Sequence, residues 1–264
     1  MSIYKESKNN GVLTFKKGET LSFTYSVKDS YQNTSTLNFS INGKLDKMKI
    51  PQKVIRPKYE TVFSCTDSNY FEKTNVRLSL PKDALYADLP FHYHEADTMR
   101  GAITPTYFIH NDYTPVHKYF EVSIKVGRLS EYHRSKATVV HFDRKKRYYS
   151  RGGTWRNNFI TAKSKAFGGF AVMIDTIAPT IVPLNIIPNR NMTGYKEIAF
   201  KIGDNLAGIK TFDGYIDGKW VKMEYEAKKA KIFYTFDKLP KGKHEIKVVV
   251  TDGVGNETIR TIPF

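Results

Sequence analysis

A two-residue rhythm of apolar and polar side chains, broken at short intervals by turn-forming dipeptides, most limits the folds open to this sequence. It runs through Leu21-Ser-Phe-Thr-Tyr-Ser-Val27, Val76-Arg-Leu-Ser-Leu80, Phe120-Glu-Val-Ser-Ile-Lys-Val126 and Ile198-Ala-Phe-Lys-Ile202. Neighbouring side chains on an extended strand point to opposite faces, so this rhythm puts one face in a core and the other in water. Ile246-Lys-Val-Val-Val250 is closer to a continuous apolar run and reads as a strand buried on both faces. Asn42-Gly43, Asp217-Gly218, Lys241-Gly242 and Asp252-Gly253 supply turns between strands. The best helix candidate, Tyr225-Glu-Ala-Lys-Lys-Ala230, is short and reads better as a hairpin tip. The expectation is an all-β chain of tandem β-sandwich domains, not α/β units.

A repeat organises the strands. Lys17-Gly18 opens an alternating strand that ends in Val27-Lys-Asp-Ser-Tyr-Gln-Asn-Thr34, and Lys241-Gly242 opens another that ends in Val250-Thr-Asp-Gly-Val-Gly-Asn-Glu-Thr258. Asp29 and Asn33 thereby match Asp252 and Asn256, as the two ends of a hairpin turn in which Asp bonds its own backbone. Four further strands are expected before the second hairpin, so residues 175–264 form a whole sandwich. Little precedes the first, and a lone hairpin is marginal in water. The expected layout is therefore 1–55 as the terminal hairpin of a truncated β-sandwich, 56–174 as a central sandwich and 175–264 as the last one, in a piece of a longer protein.

Charge is concentrated in one of these segments. The formal net charge is +16, yet residues 118–174 alone hold thirteen basic and three acidic side chains. The centre of this stretch is Arg144, Lys145, Lys146, Arg147, Tyr148, Tyr149 and Arg151, with Trp155 close behind. Cations beside flat rings suit sugar stacking and anionic polymers, whereas the plainer reading is a solvated loop whose charges deter edge pairing. Nothing resembles a helix-turn-helix, a zinc finger or an aromatic RNA-binding strand, so no specific nucleic-acid partner is expected.

Catalytic patterns are missing. The single cysteine, Cys65, sits between Ser64 and Thr66 in a strand-like stretch and reads as a small buried hydrophobe. Asp204, Asp213 and Asp217 read as turn residues rather than calcium ligands or paired carboxylates. Gly152-Gly153 and Gly168-Gly169 lack the spacing and following helix of a phosphate loop. No apolar run reaches the length of a membrane-crossing helix.

Three resemblances extend this reading. Asp175-Thr-Ile-Ala-Pro-Thr180, Asp204-Asn-Leu-Ala-Gly-Ile209 and Gly214-Tyr-Ile-Asp-Gly-Lys-Trp220 resemble the linker, turn and hairpin of a bacterial immunoglobulin-like domain, with Trp220 as a core or edge anchor. Leu78-Ser-Leu-Pro-Lys-Asp-Ala-Leu-Tyr86 resembles the opening of ZU5-type domains. Taken in order with Tyr113-Thr-Pro-Val-His-Lys118 and Gly168-Gly-Phe-Ala-Val-Met-Ile-Asp175, these motifs resemble the C-terminal, non-catalytic region of large lysostaphin-type zinc metallopeptidases, from about Val12 to Phe264. That family's zinc site uses a His-x-x-x-Asp pair and a later His-x-His. This chain has one His-x-His, His92 and His94, but no histidine before it, and two ligands fall short of a zinc site. The resemblance implies a chain without an active site or cofactor, in the periplasm or on the surface of a bacterium. There it would position an upstream peptidase domain of the same protein on peptidoglycan or another anionic envelope polymer. The alternative is a stand-alone carbohydrate- or wall-binding adhesin module.

Overall fold

The computed structural model describes residues 16–43, 59–143, 147–236 and 241–264. The chain divides into two compact units, residues 1–58 and residues 59–264.

In the first unit, strands Thr20–Lys28 and Thr34–Asn42 pair antiparallel in unbroken register, from Thr20 opposite Asn42 to Lys28 opposite Thr34. The Asp29–Asn33 turn has the form its sequence suggests. Asp29 Oδ1 accepts the N–H groups of Tyr31 and Asn33, and the Asn33 amide donates to Asp29 Oδ2. Positive φ in this turn falls on Gln32. Alternation puts Phe23, Tyr25 and Phe39 on one face, where Phe39 stacks on both other rings.

The second unit holds two sandwiches, and among the described residues no sheet mixes strands from the two sides of residue 175. In the central one, a five-stranded sheet has the order Tyr148–Ser150, Ala137–Phe142, Gly168–Ile174, Thr106–Ile109, Tyr93–Ala96. It faces a second sheet ordered Thr154–Arg156, Phe159–Ala166, Pro115–Lys125, Val76–Leu80, Asn69–Lys73. Val76, Leu78, Leu80, Phe120, Val122 and Ile124, the apolar half of the alternating segments, fill the core between them. One helix, Glu131–Ser135, interrupts the β pattern; Ser130 caps it by accepting the His133 N–H.

The sandwich formed by residues 180–263 has two four-stranded sheets, with six strands ahead of the final hairpin where the sequence suggested four. Its core gathers Ile198, Phe200, Ile202, Ile232, Ile246, Val248 and Val250. Glu245–Asp252 alternates between buried and less buried positions, so the run from Ile246 is not buried on both faces. Strands that are buried on both faces lie elsewhere. Ala137–Phe142 is buried along its whole length and Gly168–Ile174 along all but its last residue. Odd and even positions divide cleanly: Ala137, Val139, Phe170 and Val172 face the main core. Val140, Phe142, Ala171 and Met173 form a second cluster covered by Met99, Ala102 and Leu206.

Leu206 belongs to the last sandwich, so this second cluster is the seam between the two. Polar contacts complete it. The buried Asp175 accepts the Ala207 N–H on Oδ2 and the Asn256 amide on its backbone carbonyl, and the Lys136 ammonium reaches the Val254 carbonyl at 3.1 Å. The Asp252–Asn256 turn that docks here repeats the Asp29–Asn33 geometry, with Gly255 as the positive-φ residue.

Candidate functional site

The basic stretch crosses from one sheet of the central sandwich to the other. Tyr148–Ser150 is the edge strand beside Ala137–Phe142, and Thr154–Arg156 is the edge of the opposite sheet. The crossing passes through Gly152 and Gly153. A side chain at Gly153 would come within 2.6 Å of Ile160 Cγ1 and Cδ1. The crossing separates residues that are adjacent in sequence.

Arg147 folds back onto Asp143, its Nε at 2.8 Å from Oδ2, and that carboxylate raises the Arg147 pKa above its ordinary value. Its guanidinium also lies 5.8 Å from the centre of the Tyr149 ring. Tyr148 and Tyr149 are both about half exposed, but strand geometry points them to opposite faces, and Tyr148 packs edge-on against Phe142. Arg151 turns to His141 Nδ1 at 3.3 Å. Trp155 is structural: its indole donates to the Arg134 carbonyl at 2.8 Å while the Arg134 guanidinium covers its ring at 4.2 Å. Arg144, Lys145 and Lys146 lie outside the described residues. Among the described residues of the stretch, the Arg147 guanidinium and the Tyr149 ring meet.

Folding gathers Arg151 and cations from other segments around the hairpin of Thr154–Arg156 and Phe159–Ala166. A shallow cleft of about 510 Å³ is lined by Lys125, Arg128 and Arg134 with Asn75 and Asn158, and no acidic side chain. A second, of about 400 Å³, carries Arg151, Arg156 and Lys163 with Glu121. Lys125, Arg128, Arg134 and Lys163 are scattered singly through the sequence, so only the segmental charge hints at them.

His92 and His94 each pack against another ring. The strand begins at Tyr93, so His92 precedes it and stacks on His110 at 5.6 Å, while His94 stacks on Phe108 at 4.5 Å. Cys65 lies in a bend after Thr61–Phe63, partly exposed rather than buried in a strand, and Asp88 beside it pushes its thiol pKa up, away from nucleophilic character. Trp220 is an edge residue, 60% exposed, with its indole bonded to Asp213. Asp217 holds the His244 ring and the Glu245 N–H. Among the described residues, Asp175, Asp204 and Asp252 do converge, with one carboxylate oxygen of each within 4.8 Å of the others.

Fold and site together define a chain of antiparallel β-sandwich modules with a cation-lined surface. Residues 60–175, the central sandwich, match the Zu5-like domain family, in agreement with the likeness of Leu78–Tyr86 to such domains. No curated protein matches the chain. Among solved structures, the fibronectin(III)-like modules of Clostridium thermocellum CbhA are similar at 17% identity and a TM-score of 0.27, over 54% of this chain and 83% of theirs. A polysaccharide lyase is similar at 11% identity and a TM-score of 0.22, over 91% of this chain and 39% of its own.

Proposed function

We propose that this chain is a non-catalytic binding region that holds a larger exported protein against an anionic polymer of the bacterial envelope, peptidoglycan with its attached polymers being the first choice. The carrying observation is the pair of clefts flanking the 154–166 hairpin, six cations with a single carboxylate among them. Such a surface attracts polyanions over a distance of about a Debye length, roughly 8 Å at physiological salt, and holds them with salt-sensitive affinity. Tyr149, about half exposed, offers a face for sugar rings. The motif order that resembles lysostaphin-type metallopeptidases supports a zinc peptidase domain upstream as the cargo. Under the alternative, an adhesin, the same clefts act with no peptidase attached. The coding sequence ahead of residue 1 separates the two, since the peptidase reading requires a His-x-x-x-Asp and a later His-x-His there.

The binding step is tested by co-sedimentation with isolated peptidoglycan. An Arg128→Gln/Arg156→Gln/Lys163→Gln variant should lose most of its retention, roughly tenfold at low salt, with little change in Tm, because exposed charges contribute little to stability. Equal retention of variant and wild type would remove the clefts from the binding surface. Equal retention on neutral polysaccharide would replace charge by ring stacking as the cause.

A further inference from the structure

Three aspartates from separate segments meet where the sandwiches join. Asp175 follows the last strand of the central sandwich and is 1% exposed; Asp252 ends Glu245–Asp252 and is 0% exposed. Asp204 opens the turn after Glu197–Gly203 and is half-buried. One carboxylate oxygen of each lies within 4.8 Å of the others, close enough to share a single ion, since calcium–oxygen distances of about 2.3–2.6 Å set opposite ligands roughly 5 Å apart.

Turn formation explains most of their hydrogen bonds. Asp175 accepts from Ile177 and Ala207, Asp204 Oδ2 from Leu206 and Gly208, and Asp252 from Val254 and Asn256. One atom is left out. Asp204 Oδ1 is shut off from solvent and receives no donor, a state that buried carboxylate oxygens rarely keep. Among the described residues none of the three aspartates has a cationic partner in an ion pair, and the Lys136 ammonium donates to the Val254 carbonyl. Three carboxylates so close, two of them sealed from water, favour a cation among them.

We propose that Asp175, Asp204 and Asp252 bind a hard divalent cation, Ca²⁺, that locks the two sandwiches together. The donor set is all oxygen, without the imidazole or thiolate that zinc and softer metals select. Calcium accepts irregular geometry and completes its six to eight ligands with water or carbonyls, whereas magnesium demands a near-ideal octahedron. Asp175 comes from the central sandwich, and Asp204 and Asp252 come from the last. An ion held by all three therefore favours the docked arrangement in which Leu206 covers the Val140–Met173 cluster.

Calorimetric titration and thermal unfolding of the full chain test this directly. The expected result is one Ca²⁺ bound per chain and a Tm higher by roughly 5–10 °C in millimolar CaCl₂ than in EGTA. Asp204→Asn should abolish both effects while leaving the Tm in EGTA unchanged or raised. Asp29→Asn, in the same kind of turn on the hairpin of the first unit, should leave both effects intact. Absence of binding by the wild type, with equal Tm in CaCl₂ and EGTA, overturns the proposal; so does an undiminished Ca²⁺ response in Asp204→Asn. Should that variant fail to fold, the wild-type titration decides alone.

Discussion

His110 shows how much of a residue's chemistry its neighbours set. It sits at φ 52°, hydrogen-bonded to Thr114, and its ring is packed against Phe91, His92 and Phe167. Burial, with a smaller contribution from His92, lowers its pKa to about 4. In the unfolded chain an imidazole titrates near 6.5. The folded protein therefore binds fewer protons than the unfolded one between these values, so stability is full above about pH 6.5 and falls as pH drops toward 4. His110→Asn keeps a residue that tolerates positive φ and removes the titration. Thermal melts from pH 7 to pH 4 should show a smaller loss of Tm for the variant than for the wild type. Parallel curves would mean that His110 titrates normally. Sequence reading singled out His92 and His94 because two-residue spacing is visible in a string; His110 is eighteen residues away from His92, and only strand pairing brings them together.

At the scale of elements, alternation and turn chemistry carried most of the information. Val76–Leu80 alternates buried and exposed without exception, and both Asp-to-Asn hairpins form the same hydrogen bonds. What alternation hid was a strand with two apolar faces. Gly168–Ile174 begins with two glycines, which look like a loop in isolation, yet Gly168 is a strand residue at φ 137°. A side chain there would come within 2.9 Å of His141 Nε2 and the Phe142 carbonyl oxygen. Gly168→Ala should destabilise by about 2 kcal/mol or more, from the φ it forbids and a backbone clash that cannot relax cheaply. Gly152→Ala, also at positive φ but in open space, should cost only about 1 kcal/mol. Chemical denaturation of the two variants gives the comparison; equal losses would show that the close approach at Gly168 is tolerated.

The whole molecule depends on the seam. Asn256 donates its one amide group both to Asp252 and to the Asp175 carbonyl, so a hairpin of the last sandwich is tied to the end of the central one. Removing it leaves a buried carbonyl and carboxylate short of a donor, at about 1–3 kcal/mol each. Calorimetry of the chain in CaCl₂ should show the two sandwiches melting in one transition, which Asn256→Ala splits into two. Two transitions already in the wild type would mean that the seam does not couple them. By itself the sequence determined that the fold class is all-β, where the Asp29–Asn33 and Asp252–Asn256 hairpins turn, and that Val76, Leu78, Leu80, Phe120, Val122 and Ile124 enter a core, because those properties repeat over two to five residues; Tyr25 and Val27 alternate in the same way yet stay exposed. Tertiary structure alone decided which strands are buried on both faces, how the cations of residues 118–174 divide between two clefts, and that Asp175, Asp204 and Asp252 share one site. Those outcomes depend on contacts between segments tens of residues apart, and no local period records which module will cover a second face.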